Sequence, residues 1–305
     1  MKGARLTFLG TGTSQGLPII GCRCDRCIST DARDKRFRAS ALVEYGGLTI
    51  LIDAGPDFRS QMLAAGVRHL DAIFLTHNHK DHTGGLDDVR ALNYIDRRVV
   101  EIYCEDRVLN SLRTEYSYAF CEEKYPGAPE WHVHRISDKP FALFRDDEQK
   151  ELVWVHDVGY RYMLEDGSLV NTGDMICDAE EYAGKGIEII PIRGYHDQMP
   201  VLGYRFGNIA YITDMSSIPE SEFSKLEGLD HVTLNTVGYK KHHSHFSLDE
   251  ALEIAGRIGA VHTWLTHLSH TFPRHEEFCA DLDDLCRARS IRSIVRPAWD
   301  GLVIE

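Results

Sequence analysis

The stretch His77-Asn78-His79-Lys80-Asp81-His82, set between the apolar run Ala72-Ile73-Phe74-Leu75 and Thr83-Gly84-Gly85, constrains this chain more than any other. Three imidazoles and a carboxylate lie within six residues. They are nitrogen donors and one hard oxygen donor, the set that a borderline-soft divalent ion such as zinc takes. A strand turns successive side chains to opposite faces and cannot aim neighbours at one point, and the glycines interrupt regular structure. The hexapeptide is therefore expected on a loop leaving a strand. There His77 and His79 share one side, while Asp81 and His82 turn toward a second centre. The plain alternative is a solvated histidine-rich loop, and further donors at strand ends downstream argue against it.

Composition narrows the partners. Across 305 residues, 34 basic against 47 acidic side chains leave a formal charge of −13, which repels nucleic-acid phosphates unless a local patch overrides it. Bound divalent ions would reverse that sign locally. Leu6-Thr7-Phe8-Leu9 is too short for a signal-peptide core, and no stretch approaches the roughly 20 apolar residues of a membrane span, so a cytoplasmic protein without membrane contact is expected. Of eight cysteines, Cys22, Cys24 and Cys27 cluster, whereas Cys104, Cys121, Cys177, Cys279 and Cys286 are scattered, unlike the disulfide framework of a small secreted domain. The cluster is read as a metal site with three thiolates and no local fourth ligand, and the scattered five as mostly buried thiols.

Taken in order, Arg5 to Leu9 reads as a strand opening into the loop Gly10-Thr11-Gly12-Thr13-Ser14-Gln15-Gly16. No Lys-Ser/Thr follows, so the phosphate-cradle reading of that loop is weak. Ala41 to Tyr45 and Leu48 to Ile52 form two strands around Gly46-Gly47, and the second ends in Asp53. Helices are expected over Asp57 to Gly66, Leu86 to Ile95 and Asp106 to Phe120, with a strand over Val99 to Cys104. His132, His134 and His156 fall on strand-like runs and are taken as structural. Further on, apolar strands deliver single donors at His196, Asp214 and His267. Ser247 and Glu250 form a capping box that opens a helix through about Ile258, with His245 two residues before the cap.

The H-x-H-x-D-H string resembles the metallo-β-lactamase superfamily, and the G-T-G-x-S-x-G opening resembles its phosphodiester-cleaving branch of tRNA 3′-end nucleases and cyclic phosphodiesterases. The Cys22-Arg23-Cys24-Asp25-Arg26-Cys27 cluster is most similar to that of the phosphoribosyl cyclic phosphate phosphodiesterases of phosphonate breakdown. The resemblance implies that His77, His79 and His196 hold one active-site ion, that Asp81, His82 and His267 hold the other, and that Asp214 bridges them. It also casts Asp81 as a catalytic carboxylate, places Asp53 behind the ligand loop, and closes a structural zinc site of Cys22, Cys24 and Cys27 with His270. A histidine just ahead of the capped helix would be the general acid: His245 fits best, with His243 and His242 as fallbacks. The active-site ions would be zinc, with manganese or iron as substitutes, and would hold between them the hydroxide that attacks phosphorus.

The fold implied is α/β: a single domain over residues 1–305, a four-layer αβ/βα sandwich of two mixed sheets with outer helices. A longer, aromatic-rich middle section, about 97–185, would supply a substrate wall or the contact of a homodimer. The function implied is hydrolysis of a small phosphodiester, cyclic or nucleotide-like. A tRNA 3′-processing nuclease would need a basic arm that the sequence lacks. A glyoxalase II-type thioesterase would need neither the cysteine cluster nor His245, and a non-catalytic zinc-binding module would leave the second set of donors unexplained.

Overall fold

The computed structural model describes residues 3–121, 124–144, 152–155, 159–163, 166–170 and 175–305. Its residues gather into two compact units, Gly47–Glu188 and the pair of segments Met1–Gly46 and Ile189–Glu305.

In the first unit, strands Leu48–Ile52, Ala72–Phe74, Val100–Cys104, Trp131–Arg135 and Ile176–Asp178 lie side by side in chain order, every neighbouring pair parallel. Parallel strands are covered on both faces, which is why Ile50-Leu51-Ile52 and Ala72-Ile73-Phe74-Leu75 are unbroken apolar runs, all buried. Helices Phe58–Ala65, Arg90–Asp96 and Asp106–Glu115 make the return connections. Gly66 closes the first of these at a φ of 67°, as a left-handed cap requires. The helix expected over Asp106 to Phe120 is instead two, Asp106–Glu115 and Ser117–Phe120, with Tyr116 outside helical geometry at φ −117°, ψ 39°. The cause is tertiary: the buried Tyr116 hydroxyl donates to the Thr83 carbonyl at 2.7 Å, behind the hexapeptide. The segment expected as one helix over Leu86 to Ile95 begins as a 3-10 turn, Leu86–Val89, before Arg90–Asp96.

In the second unit, Arg5–Gly10 pairs antiparallel with Ser40–Tyr45 on one side and Val303–Ile304 on the other. Strands Ile187–His196, Met199–Phe206, Ile209–Tyr211, His231–Asn235, His262–Thr266 and Ile294–Pro297 again follow one another in chain order. The first three are antiparallel and the rest parallel, giving a mixed sheet. Helix Leu248–Ile258 starts on the expected capping box, with Ser247 and Glu250 bonding each other's backbone amides, and stops at Gly259 in the left-handed region. It buries Leu248, Ala251, Leu252 and Ala255 in a cluster with Val232, Leu234, Leu265 and Phe278. Among the described residues no helix is long and apolar enough to cross a membrane. The scattered cysteines differ from expectation: Cys104 and Cys286 are buried, Cys177 and Cys279 half-buried, and Cys121 exposed.

Candidate metal centres

The hexapeptide follows the carboxyl end of Ala72–Phe74, as expected, but only its first half is loop. Lys80–Thr83 forms one helical turn, in which His82 and Thr83 amides donate to the His79 carbonyl at 3.0 and 3.1 Å. That turn brings the His82 ring back beside His77. The His77 ring centre lies 4.7 Å from that of His79 and 4.2 Å from that of His82.

Asp53 anchors this cluster. Its carboxylate accepts from the Thr76 amide and hydroxyl, both at 2.9 Å, and from His82 Nδ1 at 2.7 Å. The Thr76 hydroxyl spends its one proton on Asp53, so it can only accept from His77 Nδ1, 2.9 Å away. Both rings therefore carry their proton on Nδ1 and present the Nε2 lone pair, the tautomer a metal requires. Burial pushes the Asp53 carboxyl upward, while His82 and the Thr76 hydrogen bonds pull it back.

In the second unit His196, Asp214 and His267 stand at the ends of strands, and the structure brings them together with His245. Asp214 Oδ1 lies 3.1 Å from His267 Nε2 and 3.6 Å from His245 Nδ1, and its Oδ2 accepts from the Thr213 hydroxyl at 2.7 Å. His196 donates from Nδ1 to the Asp214 carbonyl at 3.0 Å, which again leaves Nε2 as the donor atom. The ligand atoms of His196, Asp214 and His245 lie within 4.8 Å of one another. His245 stacks on His267 at 4.7 Å, the His242 ring lies 5.2 Å from that of His245, and His243 is exposed. Burial, then the neighbouring His267, pushes the His245 imidazole down to about 3, and only Asp214 opposes the shift.

Asp53, Asp214 and His267 share a property that no motif announced: φ values of 61°, 57° and 56°. Non-glycine residues seldom adopt the left-handed region, and such strain persists only where the surroundings impose it, often at functional sites. Each of the three follows a strand and turns its side chain out of the strand's alternation.

Cys22, Cys24, Cys27 and His270, all in the second unit, converge as expected. His270 Nδ1 lies 3.2, 3.7 and 3.9 Å from the three sulfurs. Zinc bonded at about 2.3 Å to sulfur and 2.0–2.1 Å to nitrogen in a tetrahedron sets its donors roughly 3.6 Å apart, so the four residues fit that ion. The hydrogen bond from the Cys27 amide, with the other thiols, holds Cys24 down to about 7, while burial pushes Cys27 up to about 11. Behind them the buried Arg26 pairs with Asp34 at 3.6 Å, and Asp34 accepts from the His275 amide at 3.0 Å.

Two further donors were set aside in the sequence as structural. His132 and His134 lie on Trp131–Arg135, where i and i+2 share a face, and both rings reach Glu101 Oε2, at 3.0 and 2.5 Å. His156 lies outside the described residues.

Residues 49–268 match the Beta-lactamase superfamily domain. The octanoyltransferase of Porphyromonas gingivalis (strain ATCC BAA-308 / W83) is 36% identical over 276 residues, covering 90% of this chain and 47% of that protein. The chain spans about half the length of the curated relatives it matches first. The crystal structure of a diphosphatase from the PhnP family is 34% identical and superposes with a TM-score of 0.75, covering 99% of this chain and 97% of that one. Human tRNase Z, short form, superposes with a TM-score of 0.59 over 99% of this chain and 98% of that one at 17% identity, a likeness of fold alone. The expected fold class stands, a mixed α/β chain with two large mixed sheets and helices. With donor residues at strand end after strand end and the family domain spanning most of its length, this chain belongs to the metallo-β-lactamase superfamily, as a hydrolase-fold member close to the PhnP family.

Proposed function

We propose that the chain is a metal-dependent hydrolase of small phosphodiesters, cyclic or nucleotide-like. In this reading, which follows the family resemblance, His77, His79, Asp81, His82, His196, Asp214 and His267 would be the residues that hold two active-site ions. Cys22, Cys24, Cys27 and His270 hold a separate structural zinc. The observation that carries the reading is the prepared tautomer: His77 and His82 of the hexapeptide and His196 at a strand end each have Nδ1 committed to an oxygen, which makes Nε2 the ligating atom of all three. The diphosphatase likeness, at 34% identity over nearly the whole of both chains, supports chemistry at phosphorus. Octanoyl transfer is the activity named for a protein of which this chain covers 47%.

The ions, when bound, would lower the pKa of a water toward neutrality and draw charge from the phosphoryl oxygens. The chain's own groups do the rest. Asp53 and Thr76 keep the ligand loop in one orientation. Asp81 acts both as a ligand and as the carboxylate that orients the attacking water. His245 gives its proton to the leaving alkoxide. The Asp214 carboxylate 3.6 Å away, and the negative charge of a bound phosphodiester, favour the protonated imidazole that this role needs. The formal charge of −13 favours a small substrate over tRNA.

The test is turnover by zinc- or manganese-loaded chain on a ribose cyclic phosphate, an aryl phosphodiester, a nucleoside diphosphate, a precursor tRNA and a glutathione thioester. Metal-dependent cleavage of the first two supports the reading. Cleavage of precursor tRNA alone, or of the thioester alone, replaces it with the nuclease or the thioesterase. No turnover on any substrate leaves a zinc-binding module.

A further inference from the structure

The structure assigns a metal site to His132, His134 and Cys177, in the unit Gly47–Glu188, that is separate from the hexapeptide and from the Cys22, Cys24 and Cys27 cluster; we propose that it binds one borderline-soft divalent cation, zinc. Three neighbouring strands build it. Glu101 pairs with His132 across Val100–Cys104 and Trp131–Arg135, and Cys177 pairs with His134 across Trp131–Arg135 and Ile176–Asp178. Residues in register on adjacent strands point the same way, so one face collects all four side chains.

The atoms are arranged as donors around an ion. Cys177 Sγ lies 3.1 Å from His134 Nδ1 and 3.5 Å from His132 Nε2, close to the roughly 3.6 Å that tetrahedral zinc imposes between sulfur and nitrogen. All three donor atoms fall within 4.8 Å of one another. The opposite ring nitrogens, His134 Nε2 and His132 Nδ1, both meet Glu101 Oε2. A carboxylate on the far nitrogen of a ligating histidine is the recurrent support of zinc sites, because it fixes the ring and leaves the near nitrogen bare. One carboxylate serves two rings here. Tyr103 stacks flat on His134, 4.3 Å between centres and 6° between planes, and blocks rotation of the ring.

The side chains of His132, His134 and Glu101 are only 21%, 16% and 15% exposed, unlike a solvated histidine run. The site also gives Ile176–Asp178 a fastening. It is a three-residue edge strand whose backbone partner is Trp131–Arg135, and an ion shared by Cys177 and the two histidines ties it to that strand.

The experiment counts zinc by mass spectrometry in full-length chain loaded with zinc alone and desalted. Cys177→Ala and His134→Ala are each expected to hold one ion fewer than the parent chain, with unchanged circular dichroism. Glu101→Gln keeps the ligands and is expected to weaken the site about 10–100-fold in chelator competition. The count is a difference, so it reads the same whether or not the centre around Asp214 is occupied, and failure of the phosphodiesterase reading does not touch it. Should a variant fail to fold, the parent chain answers: zinc should slow iodoacetamide alkylation of Cys177 at least tenfold, mapped by peptide mass. Equal zinc content in parent and Cys177→Ala, or alkylation of Cys177 indifferent to zinc, overturns the site and leaves a thiol hydrogen-bonded to imidazole.

Discussion

Asp53 Oδ2 lies 2.7 Å from His82 Nδ1, with both side chains wholly buried. The pair links a strand-end residue held at φ 61° to the helical turn of the hexapeptide. An amide in place of this carboxylate offers one acceptor where three donors converge. Asp53→Asn is therefore expected to weaken metal binding at the hexapeptide about 10–100-fold, read by chelator competition, while the ion at Cys24 stays. Unchanged affinity would remove Asp53 from the account.

Gly85 follows the same turn, and its amide donates to the Ala54 carbonyl at 2.8 Å. A Cβ there would stand 2.1 Å from the Gly55 carbonyl oxygen and 2.7 Å from Phe58 Cβ. Backbone must move to admit it. Gly85→Ala is expected to cost about 1–3 kcal/mol or more in denaturant unfolding, with metal lost at a lower chelator concentration than in the parent chain. A cost under about 0.5 kcal/mol, the range of ordinary surface substitutions, would show that the loop has room to shift.

His245 is the group whose role depends on the leaving group. With an alkoxide to be protonated, His245→Ala is expected to lose about 10²–10⁴-fold in kcat. With an activated aryl leaving group, which departs without a proton, the loss should shrink to a small fraction of that. Equal losses on both substrates, with metal content intact, would make His245 a positioning or packing residue, a place its position 3.6 Å from Asp214 also permits.

His275 carries a pH dependence that can be signed. Burial, then the positive charges of Arg36, Arg33 and Arg26, pushes its imidazole down to about 4, and Arg36 Nη2 donates to its Nδ1 at 3.3 Å. The unfolded chain titrates this residue near about 6.5, so between the two values the unfolded chain holds a proton that the folded one does not. The stability from this group is complete above about 6.5 and is lost as pH falls toward 4. The melting temperature should fall less steeply over that window in His275→Gln than in the parent chain. Parallel slopes would assign the acid sensitivity elsewhere.

Much of this was legible in the sequence wherever the signal was local. The hexapeptide after an apolar run, the Ser247–Glu250 capping box and the three clustered cysteines each lie within a few residues; the box and the cysteine cluster form as read, and the hexapeptide leaves a strand as read but turns helical in its second half. What escaped depends on distant partners. The break at Tyr116 needs the Thr83 carbonyl, 33 residues away. The committed tautomers need Asp53, 23 residues from Thr76 and 29 from His82, and the Asp214 carbonyl, 18 residues from His196, and the left-handed backbone of Asp53, Asp214 and His267 leaves no mark in composition. His132 and His134 were visible as an i, i+2 pair facing one way, but Cys177 follows 43 residues after His134, and nothing in their spacing joins them.

The central claim is metal-dependent cleavage of a small phosphodiester that requires Asp214. The most direct measurement is release of phosphomonoester from a ribose cyclic phosphate by metal-loaded chain and by metal-loaded Asp214→Asn. The account predicts turnover by the parent chain, abolished by chelation and restored by zinc or manganese, and background rates for the variant. A metal-replete parent chain that leaves the cyclic phosphate intact, or an Asp214→Asn variant that cleaves it as fast, would contradict the account.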